Sequence, residues 1–69
     1  GIAMRREERV KLLEERTLKL LELSKKQMNK YAQAREDVFK YSCEAIKGVA
    51  DLDKWEKEII KFEKELNII

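Results

Sequence analysis

Sixty-nine residues with no histidine, no proline and a single cysteine bound the chain at one small domain and exclude both a disulfide framework and a His/Cys zinc site. Hydrophobic and charged residues each make up 43%, a balance that fits charged helices better than a mixed α/β fold. The net charge of +2 gives bulk electrostatics no reason to favour nucleic acid, and no apolar run approaches the ~18 residues of a membrane span.

In chain order, Gly1-Ile2-Ala3 ahead of Met4 reads as an expression scar, which leaves residues 4–69 as the helical segment. Residues 4–30 are rich in Arg, Glu, Lys and Leu, side chains that lose little rotamer freedom in a helix. Glu7 and Lys11, Glu15 and Lys19, and Glu22 and Lys26 add four-apart pairs in the favourable order. Residues 31–47 keep the same period and bring in Tyr31, Val38, Phe39, Tyr41 and Ile46. The contested stretch is Lys47–Asp53. Gly48 after Lys47 is a good helix stop, and Asp53 with Glu56 three residues on resembles a capping box.

One heptad frame runs through all of it. Val10, Leu13, Leu20, Tyr31, Val38, Tyr41, Leu52, Trp55, Ile59, Phe62 and Leu66 fall on its core positions, and the apolar set resumes in phase after Gly48. A mid-helix glycine costs only about 1 kcal/mol. The frame therefore predicts an all-α chain: a long continuous helix forming an antiparallel coiled coil or multi-helix bundle by self-association. A helical hairpin turning at Gly48–Asp53 is the alternative.

The flanking charges give the seam a direction. Arg9, Arg16 and Lys30 precede core positions in the first half, whereas Glu44, Glu58 and Glu65 do so in the second. Paired antiparallel with a second copy, Arg9 meets Glu65, Arg16 meets Glu58 and Lys30 meets Glu44, with small Thr17 beside bulky Trp55.

Two features lie off the seam. Leu18, Leu21, Met28, Phe39, Ile46 and Val49 form a second apolar strip, which either widens the bundle or receives a partner's amphipathic helix. Lys19, Lys26, Lys40, Lys47, Lys54 and Lys61 recur one per heptad on the outer side, a pattern expected of a solubilising face. With no Arg in that row and no interleaved aromatics, nucleic-acid binding by this segment is not expected.

No residues converge on chemistry. Adjacent acids such as Glu7 and Glu8 diverge on a helix, no base accompanies Cys43, and no cofactor, metal or catalytic site is expected. The lone thiol points to an intracellular setting, cytoplasmic or nuclear. The reading is a non-catalytic oligomerisation module of a larger intracellular protein, with itself as partner in a homodimer or homotetramer. A module that docks another protein's helix, and a dimerisation tail of a nucleic-acid-binding protein, are the alternatives.

Overall fold

The computed structural model describes residues 5–27 and 29–67; the expected scar at Gly1–Ala3 and Met28 of the second strip lie outside them. Among the described residues the chain forms three α-helices: α1, Arg6–Leu23; α2, Ala32–Ile46; and α3, Leu52–Glu65. The expectation of one continuous helix is overturned. Such a helix would be about 100 Å long, whereas the longest extent here is 37 Å.

The first break, between Leu23 and Ala32, contains neither Gly nor Pro among its described residues. Side-chain hydrogen bonds take the place of helical ones there. The Ser24 hydroxyl donates to the Leu20 carbonyl at 2.8 Å, and the Arg35 guanidinium, from α2, donates to the Leu21 carbonyl and to Ser24 Oγ at 2.7 Å. Carbonyls that a continuing helix would have used are thus satisfied from across the turn. One turn of 3-10 helix, Lys25–Gln27, carries the chain round.

The second break falls at Gly48, where the heptad frame favours a helix running through and a turn is only the alternative. The Gly48 φ of +78° is the left-handed conformation that glycine adopts without strain. The Gly48 amide donates to the Ala45 carbonyl and the Val49 amide to the Glu44 carbonyl, both at 3.0 Å, which together make a Schellman cap. The cap that opens α3 is Asp51, which accepts from the Lys54 amide at 3.2 Å. The Asp53–Glu56 box is displaced by two residues, since Asp53 already lies inside the helix.

Long-range contacts fix the topology. Arg9 reaches Asp53 and Arg16 reaches Glu63, so α1 and α3 run parallel. Arg35 reaches Leu21 and the Tyr31 hydroxyl reaches the Glu65 carbonyl, so α2 runs antiparallel to both. The result is an up-down-up bundle. The antiparallel pairing of two long helices is corrected accordingly, because the seam closes on itself within one chain. Leu13, Leu20, Tyr31, Val38, Leu52, Trp55, Ile59 and Phe62 are buried together with Ala50, and Val10, Tyr41 and Leu66 pack against them half-buried. Full burial of each large aliphatic or Phe side chain contributes about 1.5–3 kcal/mol. The loss of helical propensity over two short turns is smaller.

Polar groups in this core are paired. Among the described residues no buried side-chain nitrogen or oxygen lacks a hydrogen-bond partner. The Trp55 indole donates to Thr17 Oγ1 at 2.9 Å, and Tyr31 leans on Phe62 with ring centroids 5.7 Å apart.

Candidate functional site

The three helices leave three faces between them, and these differ in kind. Between α1 and α3 the surface is an ion-pair edge. Arg16 grips Glu63 through both Nε and Nη2, and Arg9 pairs with Asp53 at 2.8 Å and Glu56 at 3.6 Å. The hydrogen bond to Glu63 holds the Arg16 guanidinium above its ordinary range against the opposing effect of burial, and Asp53 does the same for Arg9. Arg6 adds a hydrogen bond to the Ala50 carbonyl at 2.8 Å. Beside these pairs an open depression is lined by Arg9, Leu12, Leu13, Glu15, Arg16 and Glu56, with Leu12 46% exposed.

The polarity-setting charges therefore have other partners than expected. Arg9 and Arg16 do meet acids of the C-terminal helix, but Asp53, Glu56 and Glu63 replace Glu65 and Glu58, because α3 lies parallel to α1. Lys30 stands 5.4 Å over the Tyr31 ring. With Asp37, Glu58, Lys61 and Glu65 it borders a shallow groove between α2 and α3. Glu44 is half-buried on α2.

Between α1 and α2 the surface is apolar and open. Leu18 of α1 is 66% exposed and Phe39 and Ile46 of α2 are 56% and 80% exposed, with Leu21 half-buried; Val49, 68% exposed, lies in the turn after α2. Leu21, Arg35, Glu36 and Phe39 line one depression, which places the α1 and α2 members of the strip side by side. Helical spacing explains the rest. Leu18 lies one turn before Leu21, and Ile46 lies two turns after Phe39 on the same face. α3 has no such second stripe: its apolar residues face the core, apart from partly exposed Ile60.

The lysine row fares differently. Lys19, Lys26, Lys40, Lys47, Lys54 and Lys61 are all exposed. They are divided among the three helices and the first turn, so the evenly spaced row of a single helix does not form. Cys43 is a free, half-buried thiol on α2. No three His, Cys, Asp or Glu residues converge among the described residues to hold a metal ion. No helix among them is long and apolar enough to cross a membrane.

A coiled-coil frame misses three things. It gives no role to Arg35, whose partners Leu21 and Ser24 become neighbours only when the chain turns back. It treats Leu12 and Leu23 as solvent positions, although both are large apolar side chains about half exposed. It also reads Ser24 and Gln27 as weak core positions, when that weakness marks the end of the helix. Compared with protein-family models, curated proteins and solved structures, the chain matches none of them.

Proposed function

We propose that the chain is a non-catalytic helical association module whose working surface is the α1–α2 face rather than the heptad seam. The observation that carries the reading is the contrast between the two apolar sets. The seam residues are consumed by the chain's own core, whereas Leu18, Phe39, Ile46 and Val49 stand more than half exposed. A face of this kind is a liability unless another polypeptide covers it. The other two faces carry more charge: ion pairs line the α1–α3 edge, and Lys30, Asp37, Glu58, Lys61 and Glu65 border the α2–α3 groove. The lone thiol of Cys43 supports an intracellular setting.

A photo-reactive side chain placed at Ile46, with a control at exposed Lys57 on α3, tests the proposal in living cells. Discrete cross-linked polypeptides from position 46 and not from position 57 are expected. Equal labelling at both positions, or none at 46, overturns it.

A further inference from the structure

The two turns of the bundle are built differently. The second is a turn by composition: Gly48 takes a left-handed φ, and Asp51 caps the helix that follows. The first has neither device. Ser24–Tyr31 contains no Gly or Pro, and no described residue in it has a positive φ. Ser24 after α1 has φ −92° and ψ 3°, and Tyr31 before α2 has φ −110° and ψ 21° with no side-chain cap. The Tyr31 amide already donates to the Gln27 carbonyl at 3.2 Å, four residues back as in an α-helix. Lys25, Lys26 and Gln27 are themselves good helix formers. Little backbone change separates this turn from straight helix. Phase is a second, independent observation. Leu13, Leu20 and Ser24 before the turn and Tyr31, Val38 and Tyr41 after it hold the same heptad positions, and all are buried or half-buried. A hairpin needs no common frame, and an arbitrary connection keeps one about one time in seven. A helix running through the turn does need it.

From this we infer that the first turn is a hinge at which α1 is exchanged between two copies of the chain. Opened, the hinge joins α1 and α2 into one helix roughly 60 Å long. The Gly48 turn stays closed and keeps α3 against its own α2. Two such chains lie antiparallel and cross at the hinge. The contact of Arg35 with Leu21 and Ser24 puts the midpoint of the α1–α2 pairing at the turn itself. Each α1 therefore meets the α2 of the other copy in the register seen within one chain. It meets the other α3 as well, so the Thr17–Trp55 hydrogen bond and the Arg16–Glu63 pair form again between chains. Contacts are exchanged and none is lost away from the hinge, which makes swapping a low-cost route to a dimer, favoured by concentration. The exchange does not use exposed Leu18, Phe39 and Ile46, so it stands or falls apart from the association reading above.

Refolding the whole chain from urea at low and at high protein concentration, followed by sedimentation, tests this. Monomer is expected from the dilute sample and dimer from the concentrated one. Gln27→Ala with Asn29→Ala replaces two exposed turn residues by the best helix former, and each dimer straightens two hinges. The pair should therefore tighten the dimer about ten-fold or more. Gln27→Gly with Asn29→Gly should weaken it. The exchange itself is read by NMR in a dimer refolded from a mixture of isotope-labelled and unlabelled chains. A filtered NOE between the Trp55 indole proton and the Thr17 methyl group is expected across chains. A dimer in which that NOE stays within one chain overturns the exchange. Wild type and Q27A/N29A that both stay monomeric at every concentration overturn the hinge, and so does a dimer that the glycine pair leaves as tight as the alanine pair does.

Discussion

The Trp55 indole nitrogen lies 2.9 Å from Thr17 Oγ1, with both side chains buried, and this hydrogen bond joins α3 to α1 at the centre of the bundle. The pair shows why a small polar residue occupies a core position of α1. The indole N–H cannot reach water from this site, so a neighbour must accept its proton. Replacing Thr17 with Val keeps the shape and removes the acceptor. The expected loss is about 1–3 kcal/mol of unfolding free energy. Thr17→Ser keeps the acceptor and loses only a methyl group, so it should lose less. Urea denaturation of the two variants checks the order; equal losses would mean that the hydroxyl is not needed.

Arg35 ties the first turn together, donating to the Leu21 carbonyl and to the buried Ser24 hydroxyl. Arg35→Ala leaves the end of α1 without its cross-turn cap and should destabilise the fold by about 1–3 kcal/mol. Arg35→Lys provides a single point donor in place of the guanidinium fork and should recover only part of that. Amide exchange should accelerate first around residues 20–31 in Arg35→Ala, and uniform acceleration along the chain would contradict a local role.

Gly48 has φ +78° and nothing within 4 Å of where a Cβ would stand. The expected cost of Gly48→Ala is therefore conformational and not steric, about 1–2 kcal/mol. Gly48→Asn should cost less, because asparagine tolerates the left-handed region; at the end of α3, Asn67 adopts φ +60°. Thermal melts of both variants give the comparison.

The two arginines of the α1–α3 edge should differ in their effects. Arg16 grips partly shielded Glu63 through two nitrogens, and a double-mutant cycle on that pair should give about 0.5–1 kcal/mol. Asp53, the nearer partner of Arg9, is four-fifths exposed, so its cycle should give a smaller coupling that fades further in salt. The opposite ranking would contradict the burial pattern of this edge.

Much of the core was legible in the heptad frame, because periodicity reports which residues point inward. The same residues do so in a bundle and in a rod. What periodicity does not report is which helix they meet. Its soft positions, Ser24, Gln27 and Gly48, are where the chain leaves or caps its helices, and Gln27 and Gly48 end up exposed. The first turn was hard to see because Lys25, Lys26 and Gln27 are good helix formers. Their small preference is outweighed by the burial of Trp55, Ile59 and Phe62 once the chain folds back. The direction of pairing was misjudged for a related reason: Arg9 and Arg16 have acids on both flanks of the C-terminal segment to choose from. The apolar strip was read from the spacing of one long helix, and its described members are divided among α1, α2 and the turn after it, with Leu18, Phe39, Ile46 and Val49 exposed and Leu21 half-buried.

The parallel alignment of α1 and α3 bears on how the chain reaches its fold. Partners such as Arg16 and Glu63 are 47 residues apart, and Thr17 and Trp55 are 38 apart. Helices aligned in this way cannot zip together from a short connection as an antiparallel hairpin can. α2 must first be laid down between them, so the loop-closure entropy is met through both turns before the central tryptophan contact forms. Two local hairpins are available for that, α1–α2 tied by Arg35 and α2–α3 tied by Tyr31 against Phe62, and the α1–α3 contacts complete the core.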